Sequence, residues 1–157
     1  ILGTFEITPI LLSHDVKCFG YVVHSTITDE TLVNITDTGY IPDNSFEIIS
    51  NADFYIFESN HDTDMELNSP RPAYLIKRNM SDTGHLNNID SSYYLSLIVG
   101  NKTKTILFAH LSRDCNREDL VLKAYKDVFL AQKGSIPDIE VYCLHQDLPT
   151  FIQTKVK

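Results

Sequence analysis

Four ionisable side chains stand at the C-terminal ends of four apolar runs. His14 comes one residue after ITPILL, Asp37 after LVNIT, Glu58 after FYIF and His110 after ILFA. Two imidazoles and a carboxylate at neighbouring strand tips form a nitrogen and oxygen donor set suited to zinc or manganese. In layered α/β architectures the strand ends are a usual place for such a site. His85 adds a third imidazole, preceded by Gly84 and standing just before a helical stretch. Each residue alone has a plainer reading. A histidine at one strand end is commonly a hydrogen-bonded structural residue. Asp37 in Thr-Asp-Thr-Gly is suited to an Asx-turn, and Glu58 reads as a solvated strand end. The repetition at four successive strand ends is what points to a shared site. His24 and His145 lack such a setting.

These positions need strands to carry them. Residues 4–12 (TFEITPILL), 19–26 (FGYVVHST) and 31–36 (TLVNIT) are rich in aromatic and β-branched residues and read as a meander. Asp43-Asn44-Ser45 would cap a short helix at 46–51. Residues 53–58 (DFYIFE) and 104–109 (KTILFA) are short apolar runs, expected as buried strands. Residues 87–99 are expected as a helix, with Ile89, Tyr93, Leu95, Leu97 and Ile98 as its apolar positions. Residues 116–133 form the clearest amphipathic helix, capped at or near Asn116 and closed by Gly134. A last strand is expected at 138–144. Residues 59–84 lack periodicity and read as a long polar loop, broken at Ser69-Pro70-Arg71-Pro72. Loops of that length in a compact domain are commonly functional. Lys77-Arg78 in this loop reads first as a solvated basic pair and second as a phosphate contact.

The totals narrow the function classes. A chain of 157 residues is about one domain, and 43% hydrophobic with 22% charged residues is ordinary for a globular protein. The formal net charge of −8 argues against a generally basic nucleic-acid or membrane binder. Three cysteines, Cys18, Cys115 and Cys143, are widely spaced and odd in number. That argues against a disulfide framework or a Cys-based zinc site and points to a reducing, cytoplasmic compartment. No apolar run approaches the roughly 18 residues of a membrane span.

The ordered motifs SHDV, ITDTGY, FESNHD, SDTGHLNN and FAHLSRDCN resemble the C-terminal part of metallo-β-lactamase-fold hydrolases, above all the bacterial YycJ/WalJ group of exonuclease-like proteins. The resemblance covers roughly residues 4–146. It implies an α/β fold: the C-terminal half of a four-layered αββα sandwich with two divalent metal ions, zinc or manganese, in the complete protein. His14 matches a ligand of the first metal, Asp37 the bridging aspartate and His110 a ligand of the second metal. Glu58 and His85 are similar to the carboxylate and histidine that serve the leaving group in the phosphodiesterase branches. Asn60 and His61, in ESNHD, are assigned with Lys77 and Arg78 to the substrate. The chemistry suits these types: paired metals activate a water and clamp attacking and leaving oxygens, and a histidine oriented by a carboxylate can act as general acid. Metal-bound histidines need acceptors behind them, and Asp15 and Ser112 are the candidates.

The family's His-x-His-x-Asp-His motif occurs nowhere in the 157 residues, so three of about seven expected ligands are present. Smaller departures are Asn87 and Cys115, where the group usually has Ser and Asn. The chain is therefore expected to be a single partial domain, residues 1–157, lacking the N-terminal half of the fold. It would expose a sheet face to that missing half or self-associate through it, and would be inert alone. The expected function is metal-dependent hydrolysis of a phosphodiester, with nucleic acid as the partner and no membrane. The alternatives are a thioester, lactone or cyclic-phosphodiester hydrolase on the same fold, and a non-catalytic binding module.

Overall fold

Strands β1 (Phe5–Leu11), β2 (Phe19–Ser25) and β3 (Thr31–Ile35) are joined by tight connections and pair antiparallel. Strands β4 (Phe54–Glu58), β5 (Thr105–Ala109) and β6 (Glu140–Cys143) each follow a helical crossover and extend the sheet in parallel, in the spatial order β1 to β6. The computed structural model describes residues 1–151. The central runs FYIF and ILF are continuous apolar stretches, as expected of parallel strands buried within a sheet.

The helices are α1 (Phe46–Ile49, preceded by a 3-10 turn at Asp43–Ser45), α2 (Thr63–Leu67), α3 (Ala73–Asn79), α4 (Asn88–Ile98) and α5 (Glu118–Lys133). One sheet face carries Val33, Ile35, Tyr55, Phe57, Ile106 and Phe108, all fully buried. Ile49 of α1, Leu95 and Ile98 of α4, and Val121, Tyr125 and Phe129 of α5 complete that core. The Tyr55 hydroxyl donates to Ile49 O (2.7 Å), which ties α1 to the sheet. Register places Ile7, Leu11, Phe19, Tyr21, Val23, Leu32, Phe54, Ile56 and Leu107 on the other face. There Leu11 is 58% and Tyr21 42% exposed, and Phe5 at the strand start is 44% exposed. The layers are thus helix on sheet, with one apolar sheet face left uncovered among the described residues.

The sequence expectations hold for all six strands and for α4 and α5, with Gly134 closing α5 in the left-handed conformation (φ +74). Four points need correction. Residues 59–84 are not an irregular loop: they hold α2 and α3, packed around a buried polar centre. Glu66, fully buried, accepts from Arg71 Nη1 (2.9 Å) and Asn79 Nδ2 (2.8 Å), so the segment orders itself through polar contacts that leave no hydrophobic period. No side chain of Asp43, Asn44 or Ser45 caps α1. Asn116 does not cap α5 either; its amide turns inward to Ser59 O and Asn88 Oδ1, and the cap position falls to Arg117. On α4, Leu95 and Ile98 are buried as expected, but Ile89, Tyr93 and Leu97 face outward.

Candidate metal centre

The C-terminal tips of β3, β4 and β5 converge. Glu58, the last residue of β4, is fully buried yet surrounded by donors. Its Oε1 accepts from His110 Nδ1 (2.7 Å) and His85 Nδ1 (2.9 Å), and more weakly from the Asp37 backbone N–H (3.3 Å). Its Oε2 accepts from the backbone N–H groups of Thr38 (3.1 Å) and Leu86 (3.2 Å). Burial alone would raise the Glu58 carboxyl, but the hydrogen bonds from His110 and His85, with the nearby His85 charge and the backbone donors, bring it down to about 2. The same bond from Glu58 raises His110, against the opposing effect of burial.

An acceptor-only carboxylate fixes the tautomer of a neutral imidazole. With Nδ1–H of both rings directed at Glu58, each Nε2 carries the lone pair. His110 Nε2 lies 3.5 Å from Asp37 Oδ1, and the His85 and His110 rings are 5.2 Å apart. One donor atom from each of Asp37, Glu58, His85 and His110 falls within 4.8 Å of the others. Donor chemistry divides this set. Both Glu58 oxygens are already occupied by N–H donors, so Glu58 orients the imidazoles, while Asp37 and His110 Nε2 remain free to meet a cation and His85 Nε2 faces Arg78 Nη1. The nitrogen and oxygen set fits a borderline divalent ion.

Local backbone makes this convergence. Asp37 (φ +62) and His110 (φ +59) both occupy the left-handed region, which turns each side chain back over the strand tip it follows. Gly39 stands against the backbone of Asp82, and Gly84 against the carbonyls of Arg78 and Asn79; a Cβ at either would collide with main chain. Glycine there brings the 81–84 turn onto the β3 tip and so delivers His85.

Among the other sequence candidates, His14 lies beside the group and outside it. Its Nδ1 donates to Gly84 O (3.0 Å), its Nε2 faces Asp15 Oδ1 (3.3 Å), and its ring is 5.1 Å from that of His85. Asp15 stands behind His14 as expected. Ser112 does not stand behind His110; it accepts from Arg71 Nη2 (3.1 Å). Arg78 comes from α3 to the site, where its Nε and Nη2 bind Asp15 Oδ2 (2.8 and 2.6 Å) and its Nη1 is 3.5 Å from His85 Nε2. Lys77 is exposed on the last turn of α3. His61 is 1% exposed, with neither ring nitrogen bonded among the described residues, and burial lowers its basicity. A substrate does not reach it in this arrangement. Asn60 is likewise buried, with its amide on His110.

Sequence reasoning missed the Arg78–Asp15 pair and the buried triad of Ser59, Asn88 and Asn116. In that triad Ser59 Oγ donates to Asn88 Oδ1 (2.7 Å) and the two amides bond each other (2.9 Å). The run of polar residues Ser59, Asn60 and His61 directly behind a buried strand was the available signal.

The chain is 33% identical over 154 residues to exodeoxyribonuclease YycJ of Bacillus anthracis, a match covering 96% of the chain and 57% of the relative. It is 35% identical over 147 residues to exodeoxyribonuclease WalJ of Streptococcus pneumoniae, covering 87% and 54%. The metallo-β-lactamase-fold protein YhfI of Bacillus subtilis superposes with a TM-score of 0.63 at 21% identity, over 92% of this chain and 48% of that one. The chain has part of the metallo-β-lactamase fold and is similar to the YycJ and WalJ relatives. No protein-family model matches it. The chain spans about half the length of these YycJ and WalJ relatives. In metallo-β-lactamase-fold terms the sheet with its single helical layer is one half of the sandwich; that fold implies divalent metals, and the strand-tip group is one that could hold an ion. Among the described residues no helix is long and apolar enough to cross a membrane.

Proposed function

We propose that this chain supplies the C-terminal part of a dinuclear metal centre in a metal-dependent phosphodiesterase that cleaves DNA ends, acting in a reducing, intracellular compartment. One observation carries the reading: a single buried carboxylate, Glu58, directs the Nδ1–H of two histidines inward, leaving His110 Nε2 3.5 Å from Asp37 Oδ1 and His85 Nε2 3.5 Å from Arg78 Nη1. The names of the YycJ and WalJ relatives support the substrate class, and the three unpaired thiols Cys18, Cys115 and Cys143 support the compartment.

In this reading Asp37, His110 and His14 hold the metals, and divalent ions held there would supply Lewis acidity toward a phosphate and a nucleophile at neutral pH. His85 gives a proton through Nε2 to the leaving oxygen, and Glu58 orients the ring. Arg78, already 3.5 Å from that nitrogen, exchanges part of its pairing with Asp15 for the substrate phosphate; Lys77 contributes at longer range. The uncovered face of Ile7, Leu11, Phe19 and Tyr21 packs on the second sheet of the complete protein, which carries the His-x-His-x-Asp-His ligands, or on another copy where that sheet is lacking.

The test joins the chain to a segment bearing His-x-His-x-Asp-His and measures metal content, with hydrolysis of bis-p-nitrophenyl phosphate, end-labelled DNA and a thioester panel. The expected result is about two zinc or manganese ions per molecule, and diesterase and DNA cleavage lost on His110→Ala. The chain alone is expected to hold few ions and to be inert. Two bound ions with turnover of thioesters only would replace DNA by a small-molecule substrate. No metal in either form would favour a non-catalytic binding module.

A further inference from the structure

Asn60, assigned to the substrate by resemblance, is 8% exposed and is bonded to two neighbouring segments of the protein. Its backbone N–H donates to Leu86 O (2.8 Å), next to His85, and its backbone carbonyl accepts from Ser112 N–H (2.8 Å), two residues beyond His110. Its side-chain Nδ2 donates to His110 O (2.8 Å) and lies 3.3 Å from His110 Nδ1. One residue therefore bridges the His85 segment and the His110 segment, and it grips the peptide unit of His110 itself. The residue before it extends the same contact, since Ser59 N–H donates to Ala109 O (3.0 Å).

His110 needs such a grip. Its φ of +59 is a conformation that residues other than glycine adopt at a cost and keep only where their surroundings impose it. In that conformation the ring places Nδ1 on Glu58 and Nε2 toward Asp37. A relaxed φ would swing the ring off both. Because Nδ1 of His110 gives its hydrogen to Glu58, the amide of Asn60 has no acceptor on the ring, and the carbonyl of His110 is the atom it holds.

We propose that Asn60 is the positioning residue of His110, with its side-chain amide locking the His110 backbone in the left-handed conformation so that the ring presents Nε2 beside Asp37. The proposal deepens the metal-centre reading and rests on it for the role of Nε2, but the positioning contact can be tested without metal or substrate.

The experiment follows the imidazole nitrogens and Nδ1 hydrogens of His110 and His85 by NMR in the metal-free 157-residue chain, in wild type, Asn60→Ala and Asn60→Asp. Asp is the same size and lacks the donor, so a space-filling role would survive it. The expected result is a hydrogen-bonded, Nδ1-protonated His110 in wild type, lost in both variants. His85, on the same carboxylate, should keep its signal and serve as the control for folding. A His110 signature unchanged in both variants would overturn the proposal. If the variants do not fold, the wild type decides the matter: a scalar coupling across the hydrogen bond from Asn60 Nδ2 to the His110 carbonyl is expected, and its absence would overturn the contact. A zinc titration of the same proteins separates this proposal from the reading beneath it. Affinity about 10- to 100-fold weaker in Asn60→Ala is expected for loss of such a support. An altered His110 ring with unchanged zinc affinity would remove His110 from the metal set and overturn that earlier reading while leaving the positioning contact in place.

Discussion

Strand β4 has a buried carboxylate at each end, and the two are neutralised in different ways. Asp53, immediately before the strand, receives Lys104 Nζ at 2.9 Å, Lys102 Nζ at 3.9 Å and the Thr31 backbone N–H at 3.0 Å. Glu58, at the other end, receives two imidazoles and three backbone N–H groups and no lysine or arginine. Both carboxyls are held below their ordinary range against the effect of burial. A lysine partner is charged at every working pH and pins the strand entrance permanently. An imidazole partner changes its proton near neutrality and offers its second nitrogen to something else. The Asp53 end is built to stay as it is; the Glu58 end is built to exchange protons and ligands.

The largest effect should come from removing the Glu58 carboxylate. Glu58→Ala leaves buried N–H donors without their acceptor, and breaking a buried charged network of this kind costs about 3–5 kcal/mol, read from urea unfolding. Glu58→Gln keeps the volume but cannot accept from all five donors, and zinc affinity should drop about 10- to 100-fold. A variant as stable as wild type would mean the network is not what holds the strand tips together.

Next in size is the pH dependence. Glu58 falls from an ordinary 4.5 to about 2 on folding, so its contribution is full above about 4.5 and is lost as pH falls toward 2. The shift corresponds to roughly 3 kcal/mol. His110 is raised above its ordinary 6.5, so its contribution is full below about 6.5 and is lost as pH rises through the folded value. Together they place the pair's greatest contribution between about pH 4.5 and 6.5. Unfolding free energy measured across pH should show both limbs, and Glu58→Gln should flatten the alkaline limb and shrink the acid one. An alkaline limb that survives the substitution would assign it to another group.

The two ends of β4 also differ in how far the sequence revealed them. The strands and their tip residues were legible because an ionisable residue after FYIF or ILFA stands out against an apolar run. His14, Asp37, Glu58 and His110 were picked on that ground and His85 for its place after Gly84; the fold brings all of them but His14 within 4.8 Å. Residues 59–84 were not legible, because their order rests on Glu66, Arg71 and Asn79 bonding one another, and polar cores carry no hydrophobic period. Asn60 and His61 were assigned to the substrate from the ESNHD resemblance, which carries no information on burial, and both are buried. Asn116 was read as a helix cap because its type and place allowed it; only the fold shows Ser59 and Asn88 waiting on its other side.

A smaller effect is expected at the entrance. Asp53→Asn keeps an oxygen for the Thr31 N–H and loses the attraction of Lys104, whose side chain is 40% exposed. An ion pair with one solvated partner is worth about 1 kcal/mol or less, and the loss should shrink in high salt. Zinc affinity, read in the same protein, should be unchanged, because no Asp53 contact reaches the strand tips. A fall in affinity would show that the two ends of β4 are coupled and that the division between them is wrong.

The smallest effect belongs to Lys102. Its ammonium is 3.9 Å from Asp53, its side chain is 47% exposed, and Lys104 already holds the other oxygen of the carboxylate at 2.9 Å. Lys102→Gln removes a second, solvated charge from an anion that keeps a better partner, so the change should stay within about 0.3 kcal/mol and vanish in salt. The double variant with Asp53→Asn should equal Asp53→Asn alone within error, since Lys102 then has no charge left to meet. A loss near 1 kcal/mol from Lys102→Gln would mean that Asp53 depends on both lysines at once, as Glu58 depends on both histidines, and the two ends of the strand would then differ in the chemistry of their partners but not in how tightly those partners are coupled.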